Sequence, residues 1–303
     1  MKKVLVTGAS GFLGRRLLSS FSEDEVRGLY RNNKVNNCYG ESISIEKLDG
    51  DTDFSDALLD VDLVVHLAAM THSNGISDDE IFEVNYDATK RLIEQSITCG
   101  VKRFIFISTL GVHGHLGPKY DVRETSDISP SNSYSLSKYK SEQALQSLTK
   151  DKDMDFVVLR PPVIYGVNAK GSFGRLKSLI SNLPLVPFGA IDSKRSMISI
   201  SNMIEIIHLC LTDERVINKV FVVADPNPYT LADIVDTLAN YERRRVRNVY
   251  IPLGLIRACA SIVGKTRLVD QLTLDYTVDS SCFYETLDWV PVHNLSKEFE
   301  LSE

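Results

Sequence analysis

Hydrophobic residues in the first half of the chain fall into short continuous runs separated by amphipathic stretches. Val4-Leu5-Val6, Val26 to Tyr30, Val61 to Leu67, Arg103 to Ser108 and Phe156 to Leu159 are the runs. Apolar residues on consecutive positions suit strands covered on both faces. Between the runs, 12–21, 81–99 and 133–148 carry helical spacing, with Gly100 at one stop and Pro130 ahead of one start. Strands alternating with helices in this order predict an α/β fold with a doubly wound parallel sheet.

After Pro162 the grain changes. Residues 166–195 are rich in Gly, Pro and Ser around one helical stretch, 173–183. A further helix is expected over 198–211 and a strand over 220–223, and short segments alternate with prolines from Pro226 onward. The expected organisation is a sheet domain of residues 1–165 and 196–224, with a smaller C-terminal substrate-binding lobe of 166–195 and 225–303. No internal repeat or low-complexity tract is visible.

Composition narrows the partners. Of 303 residues, 43% are hydrophobic and 24% charged, as in an ordinary globular chain. Lys and Arg number 34 against 40 Asp and Glu, a net charge of −6. That balance argues against nucleic acid or an anionic membrane as a general partner and leaves room for a local basic patch. The five cysteines (38, 99, 210, 259 and 282) are widely spaced without a CxxC, so free thiols in a reducing compartment are expected. The apolar run after Met1-Lys2-Lys3 reaches Gly8 too soon for a signal peptide. The stretch 251–264 is broken by Pro252, Gly254 and Arg257 and is too short to span a bilayer. A soluble, cytoplasmic protein is expected.

The sharpest motif is Thr7-Gly8-Ala9-Ser10-Gly11-Phe12-Leu13-Gly14, between the first strand and the first helix. Glycines at this spacing permit a tight turn, close approach of backbone to a pyrophosphate, and close helix–strand packing. The helix N-terminus then offers N–H groups to phosphate. The motif in this context predicts a Rossmann-type dinucleotide site. An acidic residue at the end of the second strand would select NAD through the ribose hydroxyls, but the sequence has Tyr30-Arg31. Arg31 suits a 2′-phosphate or an adenine face, which leans towards NADP. Asp51 is a candidate contact to the adenine amino group, or a turn residue.

Tyr134 and Lys138 are four residues apart on an expected helix and share one face. An ammonium beside a phenol is expected to lower the tyrosine pKa towards neutrality. Such a tyrosine can take and return a hydroxyl proton while a hydride moves to or from nicotinamide. The preceding strand ends in Ser108-Thr109, whose hydroxyls can hold a substrate oxygen.

These motifs together resemble an extended short-chain dehydrogenase/reductase of the NAD-dependent epimerase/dehydratase family, its UDP-galactose 4-epimerase branch in particular. The matching residues are Thr7–Gly14, His66-Leu67-Ala68-Ala69, Asn85, Ser108-Thr109, Tyr134 with Lys138, Arg160-Pro161-Pro162 with Tyr165-Gly166, and Leu287-Asp288-Trp289-Val290-Pro291. The resemblance implies Tyr134 as acid/base, Lys138 as its electrostatic partner and ribose ligand, and Thr109 at the catalytic hydroxyl position. It implies that Gly8, Gly11 and Gly14 hold the pyrophosphate with Phe12 and Leu13 beside it. Leu67, Ala68, Ala69 and Ser108 would line the cofactor, NAD or NADP, and Pro161 would lie by the nicotinamide carboxamide. Asn85 would support the active-site backbone. Arg195 is the candidate for the diphosphate of a UDP-sugar, Ser172 stands where relatives often use asparagine, and His72 is a candidate sugar contact. Relatives commonly pair through two helices, here 81–99 and 133–148, which makes a homodimer the expected assembly.

The chain departs from that pattern in places. Ser135 stands where glycine is frequent, and His113 replaces a tyrosine. Leu110-Gly111 follows Thr109 where 4,6-dehydratases carry an Asp-Glu pair, which disfavours dehydration. Three functions stay open: a 4-epimerase working through a transient 4-keto sugar, an NADPH-dependent UDP-4-keto-sugar reductase in surface polysaccharide synthesis, and a cofactor-binding regulator without turnover. His113 and His115 are too few for a metal site, and His66 suits a core position. The basic cluster Arg243-Arg244-Arg245 with Arg247 is read as a solvated helix end, with a phosphate or partner contact as the alternative.

Overall fold

In the structure, a computed structural model that describes residues 2–31, 39–71, 75–114, 121–169, 171–262, 264, 269 and 273–300, the apolar runs become the inner strands of a parallel sheet. In chain order the elements are β1 (Val4–Thr7), α1 (Phe12–Leu18), β2 (Val26–Arg31), β3 (Glu41–Ile45), α2 (Ser55–Leu58), β4 (Leu63–His66), α3 (Asp78–Phe82), a π-helical turn (Glu83–Asp87), α4 (Ala88–Thr98) and β5 (Arg103–Ile107). There follow α5 (Ser133–Thr149), β6 (Asp155–Arg160), β7 (Val163–Tyr165), α6 (Gly171–Asn182), β8 (Leu185–Val186), β9 (Lys194–Arg195), β10 (Met197–Ser199), α7 (Ile200–Thr212), β11 (Lys219–Val222), β12 (Tyr229–Thr230), α8 (Leu231–Tyr241), β13 (Arg247–Asn248) and α9 (Leu253–Ile262).

Seven strands make one parallel sheet in the order β11-β6-β5-β4-β1-β2-β3, and the chain reverses its direction of travel between β1 and β4. Successive residues of a strand point to opposite faces. Val6, Val65 and Ile105 accordingly join one core with Leu17 of α1 and Met203, Ile207 and Cys210 of α7. Their neighbours Leu5, Val64 and Phe104 join a second core with Leu92 and Ile93 of α4 and Leu145 of α5. A third core joins Tyr165 to Phe173, Ile180, Leu231, Ile234, Leu238 and Phe299, which come from the stretches expected to form the smaller lobe. The helix Ser281–Leu287 puts Phe283 and Leu287 into the first core, although its residues fall in the stretch assigned above to that lobe. No helix among the described residues is long and apolar enough to cross a membrane.

Several elements differ from the sequence expectation. β3 was not expected. As an edge strand it needs only Ile43 and Ile45 to pack on the second core, and Glu41, Ser42 and Ser44 are exposed. The helix over 12–21 stops at Leu18, where Ser20 turns its hydroxyl to the Leu17 carbonyl at 2.7 Å. Ile198 belongs to β10, and the following helix starts after Ser199, whose hydroxyl accepts the Asn202 N–H at 3.0 Å. The helix expected over 81–99 starts at Asp78 behind a Ser77/Glu80 capping box and is interrupted by the π turn.

Beside this third core, the buried Asp225 carboxylate accepts hydrogen bonds from Tyr165 Oη (2.5 Å), Asn202 Nδ2 (2.7 Å) and the Ser199 N–H (3.2 Å). Burial raises its pKa to about 6, against the lowering effect of these donors.

Candidate active site

The glycine loop shows what its glycines are for. Gly8 has φ +68°, and a β-carbon there would lie 2.7 Å from the Ala68 nitrogen. A β-carbon on Gly14 would collide with the Gly8 carbonyl oxygen. The Gly11 N–H donates to that carbonyl at 2.9 Å, and no side chain caps the start of α1. The loop is thus a cradle of bare backbone. It opens into a cleft lined by Gly8, Ser10, Gly11, Tyr30, Arg31, Leu67, Ala68 and Ala69 among others.

Behind the loop, the Thr7 hydroxyl oxygen accepts the Ala68 N–H at 3.2 Å and lies 2.7 Å from His66 Nδ1. His66 Nε2 lies 2.8 Å from the Thr89 hydroxyl. Burial holds the imidazole well below its ordinary pKa, so a neutral histidine joins β1, β4 and α4. Asn85 does similar work one layer on. Its side chain accepts the Met70 N–H at 2.7 Å and donates to the Met70 carbonyl at 2.9 Å and to Ser137 Oγ at 3.1 Å. The cleft-lining segment 67–70 is thereby tied to α5.

The candidate reaction centre lies where β5, β6 and α5 converge. The Ser108 N–H donates to the Leu159 carbonyl and the Leu110 N–H to the Pro161 carbonyl, both at 2.8 Å, so Thr109 and Pro161 are neighbours. Thr109 Oγ1 accepts the Gly111 N–H at 3.1 Å and caps the 3-10 turn Leu110–His113. A β-carbon at Gly111 would lie 3.4 Å from Thr109 Oγ1 and 3.5 Å from Ser135 Cβ, which sets Thr109 across one residue from the start of α5. Ser135 is half of a capping box with Asn132, its N–H donating to Asn132 Oδ1 at 2.9 Å. The departure from glycine thus fixes the helix start beside Tyr134.

Along α5, Tyr134, Lys138 and Glu142 stand at four-residue intervals on one face. Lys138 is buried with Nζ 4.1 Å from the Phe106 ring centroid. Burial lowers its pKa to about 7, with Glu142 pulling the other way. Burial raises the Tyr134 phenol to about 12. The expected lowering of the tyrosine pKa towards neutrality is not found. Desolvation favours the neutral form of both groups.

Beneath this pair lies a network that sequence reasoning missed. Ser108 Oγ donates to Glu142. Arg160 donates to Glu142 through Nε (3.1 Å) and Nη2 (2.6 Å) and lies 3.1 Å from His113 Nε2 through Nη1. His113 Nδ1 lies 3.1 Å from the Asp127 carbonyl oxygen. Ser108 therefore spends its hydroxyl below the cleft. The available signal was Glu142 on the Tyr134–Lys138 face; nothing local pointed to its partner.

Other candidates are more scattered. Asp51 is exposed in the turn 49–52, its N–H donating to Asp49 Oδ1 at 3.1 Å, and it does not line the cleft. Leu13 packs in the first core and Phe12 against it. Arg195 is half-buried on β9, bridged to Tyr276, whose phenol donates to the Leu110 carbonyl at 3.0 Å. Tyr276, not singled out by sequence, thus links the arginine strand to the residue after Thr109. Burial lowers the Arg195 pKa, and Asp275 opposes it. His72 and the Ser172 side chain lie outside the described residues.

Comparison with known proteins agrees with this arrangement. Residues 4–224 match the NAD dependent epimerase/dehydratase family. The chain is 34% identical to a UDP-glucose 4-epimerase of Vibrio cholerae, over 99% of this chain and 94% of that protein. It is 26% identical to an N-acetyl-alpha-D-glucosaminyl-diphospho-ditrans,octacis-undecaprenol 4-epimerase of Escherichia coli O157:H7, over 96% and 88%. The UDP-glucuronic acid 4-epimerase of Bacillus cereus, solved in complex with NAD, shares the fold with a TM-score of 0.78 at 22% identity, over 98% and 96% of the two chains. With its family match spanning the glycine cradle and the Tyr134–Lys138 face alike, the chain belongs to the NAD dependent epimerase/dehydratase family.

Proposed function

We propose that the protein is a nucleotide-sugar 4-epimerase, acting on a UDP-hexose or UDP-N-acetylhexosamine through a transient 4-keto sugar. The observation that carries this reading is Tyr134 and Lys138 on one face of α5, beside Thr109 and the end of β6. The bare backbone of Gly8, Gly11 and Gly14 fits a dinucleotide pyrophosphate. NAD, when bound, supplies a hydride acceptor that later returns the hydride.

The protein's part is proton control and orientation. Tyr134 Oη takes the C4 hydroxyl proton as hydride leaves C4, and gives it back when hydride returns to the opposite face of the sugar. Thr109 Oγ1 holds the C4 oxygen. Lys138 in its ammonium form stabilises the phenolate, and Glu142 one turn below favours that form. Arg195 suits the sugar nucleotide's diphosphate.

A second reading keeps the same residues and makes the protein an NADPH-dependent 4-keto-sugar reductase. Arg31 in the cleft favours it, since the described lining has no carboxylate. Purified protein incubated with UDP-glucose, UDP-GlcNAc or a UDP-4-keto sugar decides between them. Interconversion of 4-epimers without added reductant is the expected result. NADPH oxidation only with the keto sugar would give the reductase reading. Tyr134→Phe is expected to lose roughly 100- to 10,000-fold in kcat; full activity in that variant sinks both.

A further inference from the structure

The chain between Arg243 and Ile262 holds five arginines and no acidic residue, in a protein of net charge −6. The structure gathers this stretch on the smaller lobe. Arg243, with φ +52°, turns the chain out of α8, and Arg244, Arg245 and Arg247 are exposed. β13 runs beside β8, with Arg247 opposite Leu185, and its N–H donates to the Pro184 carbonyl at 2.9 Å. The neighbouring acid, Glu242, is paired with Lys177 at 3.3 Å.

Large apolar side chains border the arginines. Leu185 is 53% exposed, Tyr250 70%, Leu255 57% and Ile262 85%. In α9, Leu255, Ala258, Cys259 and Ile262 share one stripe at helical spacing, and that stripe faces solvent, whereas Ala260 is buried. A surface helix normally turns its apolar stripe inward. One turned outward beside a cationic rim has the character of an element that lies in a membrane interface.

We propose that the face formed by β8, β13 and α9 docks the protein on an anionic lipid bilayer, with the apolar stripe entering the interface and the arginines meeting the headgroups. A second copy of the chain is a poorer fit. Two-fold pairing sets the same patch on both subunits, and the arginine clusters of the two copies would meet. The overall negative charge is no bar, because attraction acts within about 8 Å of the surface at physiological salt.

The test uses the full chain and vesicles of phosphatidylcholine with and without phosphatidylglycerol. Co-sedimentation with the anionic vesicles is expected, weakened by salt. The variant Arg244→Glu/Arg245→Glu/Arg247→Glu should bind at least tenfold more weakly, since each arginine is worth about fivefold. Leu255→Ser/Ile262→Ser should also lose binding, and turnover of soluble substrate should be unchanged in both. Absence of binding to anionic vesicles overturns the proposal, as does equal binding by the variants. It also fails if the serine variant turns a solution dimer into a monomer while vesicle binding persists.

Discussion

Arg160 of β6 grips the Glu142 carboxylate from two nitrogens, at 3.1 and 2.6 Å; both residues are buried, and Glu142 stands one helical turn along α5 from Lys138. A charge placed there acts on the lysine at short range and in low dielectric. Glu142→Gln removes it and leaves Arg160 facing a neutral amide. Breaking a buried pair in this way costs about 3–5 kcal/mol. The ammonium form of Lys138 should then persist only at lower pH, so the kcat optimum should move towards acid. Urea unfolding and a pH–rate profile check both, and a stable variant with an unmoved profile would remove Glu142 from the proton machinery.

Lys138 itself makes a trade of stability for function. Its folded pKa, about 7, lies below the ordinary lysine value of about 10.4. Between those values the unfolded chain holds a proton that the folded protein has released, so this group's contribution to stability rises with pH. Below about pH 7 its destabilisation is complete. Lys138→Met should therefore gain most stability at pH 6, gain progressively less towards pH 10, and lose turnover. Thermal melts at the two pH values test this; a gain that does not change with pH contradicts it.

Asp225 runs the other way. Its pKa of about 6 is raised above the ordinary carboxylate value of about 3.9. Between these the folded protein keeps a proton that the unfolded chain gives up, so this group's contribution falls as pH climbs from about 4 to 6. Tyr165, Tyr229, Tyr284, Asn202, the Ser199 N–H and Glu298 are groups that face it. Asp225→Asn should flatten that slope in urea midpoints measured across the window. Parallel slopes for variant and parent would show that another group carries it.

In the cleft beside the glycine loop, Arg31 is the one charged residue of the described lining. Arg31→Ala should weaken NADP(H) binding roughly tenfold or more, the value of a lost charge-assisted hydrogen bond, and change NAD(H) binding far less. Titration calorimetry with both cofactors measures it. Equal losses for the two would assign Arg31 to adenine rather than to a 2′-phosphate.

The inner strands were legible because they are buried on both faces, and continuous apolar runs have few other uses. The glycine loop was legible for a related reason: at Gly8 and Gly14 a β-carbon would strike neighbouring backbone, so sequence and geometry state one constraint. β3 was hidden because an edge strand needs only Ile43 and Ile45 to be apolar. The Glu142–Arg160–His113 network was hidden because its members come from separate elements and meet only in the folded core. The tyrosine pKa went wrong for want of burial: spacing places a lysine beside a phenol but does not report how dry both are. Ser135 shows in the sequence only as a departure from glycine, although it closes the capping box that starts α5.

The π turn at Glu83–Asp87 carries a consequence for chain length. One extra residue is wound into a helix that otherwise runs from Asp78 to Thr98. Ile81 faces the core before it, Leu92 and Ile93 face the core after it, and Asn85 in the turn faces Met70. Deleting a single residue there would restore regular α geometry with the two flanking halves still in phase, and would move Asn85 off its partners Met70 and Ser137. Single-residue insertions and deletions are normally tolerated in loops and neutral to function. Here a helix would accept the shorter chain as structure, and what it would lose is the placement of one amide that holds the cleft segment to its neighbour.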